Sequence, residues 1–443
     1  MIINKTLKGK TNVQNLLTIY KLTKVFNLKT LAEKYFRYIE SCFTMLAETP
    51  NFLELDYSIV ARVLGSNNLH ITTELEVFNS ANGWLSYNIN KRKSHAKNLL
   101  LKVRLPLLSD HCLRYILKRS SSLSENEDCV AMLKEVLENK EKFIKKNSSF
   151  CYSHRYCSHS KFNLLVFGGL VKASAQTVGN VSKISGRNLQ HVTPLSSLPR
   201  PRLNSMAVCV KDEVYVFSGE FDWRQVKSVE RYSIVTDTWH KVDDMYDGRG
   251  WYCICAFMDK IFVLGGTHQY MDSTNTCLQF NTKDCEWKEV AGMNEARRKS
   301  ACAVFEGRIV VAGGRDDADV RLNSVESYDV HADEWHHMPN MIRFKIHHRL
   351  VVVRNKLLVI GPMSCEVFDN ESKTFVALRL PGGMETRFQL SQVIAIGRKF
   401  FVFQNWKKPL YYFDADRYDY IKTNLKYKIS NFSCVKIPWI CFN

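Results

Sequence analysis

The feature that most limits how this chain can fold is a small-residue pair that closes an apolar run again and again at a nearly fixed step. The pairs are Phe167-Gly168-Gly169, Phe217-Ser218-Gly219, Leu264-Gly265-Gly266, Ala312-Gly313-Gly314 and Ile360-Gly361-Pro362, with steps of 50, 47, 48 and 48 residues. Trp239, Trp287 and Trp335 repeat 48 apart. An aromatic precedes each Trp in Arg231-Tyr232, Gln279-Phe280 and Ser327-Tyr328, with weaker echoes at Val367-Phe368 and Tyr412-Phe413. Three series in phase describe one supersecondary unit used repeatedly, each copy too small to bury its own apolar face alone.

The unit 300–340 shows its contents. Ser300 to Phe305 and Arg308 to Ala312 are apolar runs, the glycine pair breaks the second, and a polar loop from Arg315 to Leu322 follows. Ser324 to Asp329 and Glu334-Trp335-His336 complete four short strands. Glycines let inner strands approach closely near an axis, and Tyr and Trp fill the space between neighbouring units. Six units start near residues 162, 206, 253, 301, 349 and 392; the first lacks a Trp, and the last two have lost the pair (Gly361-Pro362, Gln404-Asn405). Ser433 to Pro438 reads as a last strand that pairs with the first unit and closes a ring. The diglycine, the spaced Tyr and Trp and the period resemble the kelch repeat, over roughly residues 155 to 443. The resemblance implies a six-bladed kelch β-propeller over 161–443.

Upstream, the periodicity is helical. Leu16, Ile19, Tyr20 and Thr23 follow i, i+3, i+4, i+7 spacing, as do Leu31, Tyr35 and Tyr38. A last helix is expected from Cys129 to Lys145. Phe52-Leu53-Glu54-Leu55, Leu64, Asn67-Asn68-Leu69, Glu76-Val77-Phe78, Ala81, Trp84 and the string Val103-Arg104-Leu105-Pro106-Leu107-Leu108 look like the BACK domain. That domain is a helical spacer between a BTB domain and kelch repeats, here expected over 11–146, with a linker over 147–160. Pro106 fits a helix start, where a missing N–H costs nothing. Only about 14 residues precede the match, so the BTB domain of BTB-BACK-kelch proteins is expected to be missing. The fold class expected is therefore α plus all-β: a BACK domain, then a propeller.

Bulk properties narrow the functional classes. The net charge of +18 is evenly divided, with 23 Lys and Arg against 14 Asp and Glu in residues 1–150 and 39 against 30 in the rest. A nucleic-acid partner would call for one concentrated stripe, so none is expected, whereas an acidic protein or peptide suits the charge. No run of 18 apolar residues exists and the N-terminus lacks a secretory pattern, so neither a membrane span nor export is expected. The scattered 14 cysteines suit a reducing, cytoplasmic location.

Catalytic signatures are weak. No Walker loop, nucleophile elbow or His-Glu-x-x-His occurs, and no enzyme activity or cofactor is expected. Cys151, His154, Cys157 and His159 carry zinc-type donors at a spacing that matches no known finger, and read as linker. Cys253 and Cys255 share a strand face and read as core packing ahead of a redox pair. Recognition in a propeller falls to loops on one rim. The kelch resemblance implies contacts just before each first strand, at Asn204, Trp251, Lys299 and His347, and just after each glycine pair, at Glu220, Thr267 and Arg315. Arg202, Arg249, Arg297, Arg298 and Arg343 lie nearby and make the rim cationic. The BACK resemblance implies a cullin-side surface on the opening helix, at Asn15, Leu16, Leu17, Ile19 and Tyr20. The function implied is a substrate-recognition adaptor of a cullin-RING ubiquitin ligase; the alternative is an actin-binding scaffold.

Overall fold

A computed structural model gives the fold. It describes residues 13–147 and 162–438 apart from 48, 70, 72–73, 109, 119–125, 172–175, 186–190, 211–212, 222–223, 235, 269–271, 354–355, 362–363, 379–389, 397–398, 405–410, 415–418, 423–428 and 431–432. Two compact units divide it, the second running from Phe162 to Ile437.

In the first unit the helical spacing becomes helices at Val13–Val25, Lys29–Ser41, Tyr57–Gly65, Glu74–Tyr87, Asp110–Lys118, Glu127–Glu138 and Lys140–Lys146, with shorter helical pieces such as Pro50–Leu53 and Ala96–Leu100 between them. Their apolar stripes form the core: Leu16, Tyr20, Ile39, Val60, Val63, Val77, Ala81, Leu99 and Leu133 are all essentially inaccessible. Polar side chains satisfy the turns between them. Trp84 Nε1 donates to Leu55 O at 2.8 Å while the Arg92 guanidinium lies 4.0 Å over its ring. Arg104 is buried, its guanidinium on Asn67 Oδ1 and its N–H on Glu74 Oε2. Pro106 sits in a single 3-10 turn, Leu105–Leu107, rather than at the head of a longer helix. The expected helix Cys129–Lys145 is two helices. Asn139, at φ −157°, leaves the helical region and accepts from the Lys142 N–H at 2.9 Å, ending one helix and capping the next.

Among the described residues the second unit has six blade sheets and a two-stranded ribbon, Glu220–Phe221 with Arg224–Gln225. Five have their four strands in chain order; their first strands are Met206–Val210, Cys253–Phe257, Ala301–Phe305, Arg349–Val353 and Leu390–Ile396. The pairings within these five are antiparallel, as in Cys302↔Val311, Val311↔Glu326 and Glu326↔His337 across the fourth sheet. The first sheet differs. Its strand Phe162–Val171 contains Gly168-Gly169, the place of a second strand elsewhere, and Ser433–Pro438 pairs along its other edge. Residue 162 therefore begins a second strand, and the C-terminal strand supplies the missing first one, as the sequence led us to expect of the tail. The core lies between sheets: Tyr215, Phe217 and Met245 of one blade pack on Ile261, Val263 and Phe280 of the next.

Two devices hold the blades. Each Tyr/Phe–Trp pair packs within its blade, tilted at 4.9 Å for Tyr232–Trp239 and 5.0 Å for Phe280–Trp287 and stacked at 5.0 Å for Tyr328–Trp335. Each indole N–H then reaches back to the preceding blade: Trp239 to Ser196 O at 2.9 Å, Trp287 to Asp243 O at 3.1 Å, Trp335 to Ala291 O at 2.8 Å. The glycine pairs do another job. Gly314 has φ +102°, and a Cβ there would lie 2.5 Å from Arg298 O. What crowds the pair is the backbone segment leading into a first strand, rather than neighbouring inner strands at the axis.

Candidate functional site

That leading segment builds the rim. In four successive blades it reads cation, any residue, then a residue with left-handed backbone: Arg202-Leu203-Asn204, Arg249-Gly250-Trp251, Arg297-Arg298-Lys299 and Lys345-Ile346-His347. Asn204, Trp251, Lys299 and His347 have φ of +53°, +51°, +54° and +54°. In three blades the middle residue forms an antiparallel bridge to the residue after the glycine pair: Leu203 with Glu220, Gly250 with Thr267, Arg298 with Arg315. Each bridge has both backbone hydrogen bonds, for example Arg298 N–H to Arg315 O at 2.9 Å and the reverse at 2.8 Å. Both classes of candidate rim residue are thus locked side by side.

Between blades the rim is continuous at one corner. The Lys299 N–H donates to Trp251 O at 2.8 Å, and the Lys299 ammonium lies 4.1 Å above the Trp251 ring. Burial, with Arg298 and Arg315 close by, lowers the Lys299 pKa. His347 is pushed down to about 4 by burial and then by Lys299, Arg349 and Arg315. Asp319 answers part of this charge, bonded to both Arg298 and Arg315.

Some candidates play other parts. Arg202, Arg249 and Arg297 are at most 2% exposed, and so are no part of an accessible cationic rim. Each Nη1 donates to the carbonyl of the first residue of a pair and to the following strand: Ser218 and Ser228, Gly265 and Thr276, Gly313 and Ser324. Glu230 and Glu326 balance Arg202 and Arg297 at 2.6 and 2.5 Å, and Lys345 meets Glu366 at 2.9 Å in the next blade. The spacing 202, 249, 297, 345 was the signal for this ladder. Thr267 is 1% exposed and so is bridged to Gly250 without being accessible, while Asn204 and Arg343 are exposed. In the helical unit, Leu16, Leu17, Ile19 and Tyr20 are buried and Asn15 half-buried, because i, i+3, i+4 apolar spacing is what a core needs. Tyr20 Oη accepts from Arg62 Nη1 at 3.0 Å. The same helix exposes Leu22 and Val25, followed by Phe26 at 68%.

Cys151, His154, Cys157 and His159 lie outside the described residues. Among the described residues no cluster of three or more His, Cys, Asp or Glu could hold a metal, and no helix is long and apolar enough to cross a membrane. Cys253 is buried, with its thiol pKa well above the ordinary value through desolvation, which suits packing rather than reactivity.

Comparison with known proteins agrees with this architecture. Residues 16–139 match the profile of the BACK domain (BTB And C-terminal Kelch), and residues 125–370 match that of the Attractin/LZTR1 beta-propeller. The chain belongs to the kelch-like family. Among its relatives, mouse Kelch-like protein 35 is 26% identical over 333 residues, covering 74% of this chain and 56% of that protein. Xenopus tropicalis Kelch-like protein 25 is 22% identical, covering 78% of this chain and 67% of the relative. Human Kelch repeat and BTB domain-containing protein 12 is also 22% identical, with 77% and 67% covered. The kelch-like chain thus spans little more than half the length of Kelch-like protein 35, at 56% of the mouse and 54% of the human protein.

Proposed function

We propose that this kelch-like chain is a protein-binding adaptor that holds a substrate on the propeller rim and presents it to a cullin-RING ubiquitin ligase in the cytoplasm. The observation that carries the reading is the row Asn204, Trp251, Lys299 and His347. A left-handed backbone strains an L-residue by about 1–2 kcal/mol, and glycine would relieve it. Four equivalent positions bear that strain and keep a polar, aromatic or cationic side chain on an accessible edge. Such an arrangement suits recognition by surface, with the chain contributing proximity and no bond-making. The eleven free cysteines among the described residues fit a reducing compartment. On the helical unit, the buried Leu16, Leu17, Ile19 and Tyr20 support the fold, so a scaffold contact falls to Leu22, Val25 and Phe26.

Affinity purification of the full chain from cells, probed for a cullin and read by mass spectrometry, tests both halves. Expected are a cullin lost on Leu22→Glu with Phe26→Glu, and a second protein lost on Trp251→Ala with the cullin retained. Recovery of filamentous actin in place of a cullin would replace the ligase reading by a scaffold.

A further inference from the structure

We propose that Cys255 and Cys302, on facing inner strands of the third and fourth blades, form a disulfide when a hydroperoxide reaches them, a reversible staple between the two blades. Strand alternation places them. Ile254 and Ala256 pack toward Met206 and Val208 of the second blade, so Cys253 and Cys255 face the other way, to the fourth. Ala301 and Ala303 pack toward Leu350 and Val352 of the fifth blade, so Cys302 faces back to the third. Two hydrogen bonds fix the register: Lys299 N–H to Trp251 O at 2.8 Å, and Ser300 Oγ to Cys253 Sγ at 3.5 Å. The two strands therefore run the same way. One step further along each face, Cys302 falls between Cys253 and Cys255, within hydrogen-bonding reach of both. Alkyl and thioether groups fill the interfaces on either side, whereas this one brings three free thiols together.

Exposure divides the roles. Cys253 is 3% exposed and packs, while Cys255 and Cys302 are half-buried and open to a small oxidant. Contact with Cys253 pulls the Cys302 pKa down, contact with Cys255 and burial push it up, and the thiol ends well above its ordinary value. Cys302 therefore suits the resolving step and Cys255 the attack. The Cys255 thiolate attacks the terminal oxygen of the hydroperoxide and the O–O bond breaks. The leaving oxygen takes the proton that Cys255 lost, and Cys255 becomes a sulfenic acid. The Cys302 sulfur then attacks the Cys255 sulfur, and its proton leaves with the displaced hydroxide as water. The two thiols give up two electrons, and the hydroperoxide is reduced to an alcohol and water, or to two waters from hydrogen peroxide. Exchange with a small thiol reopens the bond.

The test treats the reduced, full-length chain with hydrogen peroxide until Met258, which is 42% exposed, has become its sulfoxide. Remaining thiols are then alkylated and the chain is digested without reductant. Expected is a peptide pair joined through Cys255 and Cys302 that a dithiol releases. A cross-link that closes 47 residues should also raise Tm by several degrees. Cys255→Ser should lose both the bond and the rise, and Cys253→Ala should keep both. Should either variant fail to fold, the linked peptide from the unchanged chain decides. Cys255 and Cys302 still present as thiols once Met258 is oxidised overturns the proposal. So does a bond from Cys302 to Cys253, a sulfinic acid at Cys255 in place of the bond, or a bond that leaves Tm where it was.

Discussion

His348, one residue beyond the rim, is wholly enclosed, with Nε2 2.9 Å from Ala312 O and Nδ1 buried without a hydrogen-bond partner among the described residues. Nε2 donates to that carbonyl in the neutral ring, and desolvation holds the pKa to about 3. An unfolded chain takes up this proton near 6.5, so between the two values the unfolded state binds more protons and stability is lost as the pH is lowered. At pH 5 the loss from His348 alone is about 2 kcal/mol. Urea unfolding at pH 7.5 and pH 5 should show it, and His348→Gln should flatten that part of the pH dependence. The Arg297–Glu326 pair, with both side chains fully buried, makes a second prediction. Arg297→Ala should destabilise by about 3–5 kcal/mol, and Arg297→Met with Glu326→Met should recover much of it, because the cost lies in the uncompensated charge. A sequence reading treats arginines before a strand as surface, since Arg is almost never buried unless paired. The partner glutamates stand 28 and 29 residues downstream, at Glu230 and Glu326, so the pairing became visible only with the strands in register.

At the scale of the element, the strand and its turn chemistry were largely legible. Alternation, the glycine pair and the Trp series located first strands within a residue or two, because each signal depends on local backbone geometry. Two elements were less so. Asn139 interrupts an otherwise continuous helical pattern, and a single capping residue competes weakly with the periodicity around it. Phe162–Val171 reads as a first strand in the sequence because its predecessor in the sheet lies far away along the chain, at Ser433–Pro438. The indole staples carry the prediction proper to this scale. Trp335 stacks on Tyr328 and donates to Ala291 O of the preceding blade, while Asp333 accepts from Tyr328 Oη and the Ala291 N–H. Trp335→Phe keeps one aromatic ring but deletes the donor and part of the packed indole, so it should cost about 1–3 kcal/mol, read as a shift of the denaturation midpoint at unchanged slope. Gly314→Ala is the harsher change. Its Cβ would press on Arg298 O and its φ is left-handed, so the bridge from Arg298 to Arg315 should open and partner binding should fall with stability.

The whole molecule turns on how its ring begins and ends. A propeller avoids exposed sheet edges by bringing its last strand back to its first blade. Here Ser433–Pro438 lies along Phe162–Val171, with Cys434 and Val435 buried, and Ile429 and Ser430 extend the same edge opposite Val171 and Leu170. Rim residues come from blades two to five, so their spacing depends on a closure made far from them in sequence. Ending the chain at Ser430 should therefore do more than fray one blade. The buried residues lost are worth on the order of 5 kcal/mol, which for a unit this size is a fall in Tm on the order of 10 °C. An unpaired edge on Phe162–Val171 should also promote self-association. Differential scanning calorimetry with light scattering checks both. If the shortened chain melted at the full-length temperature and stayed monomeric, the six blades would be held by their Trp staples and inter-blade cores, with the closing strand a passenger.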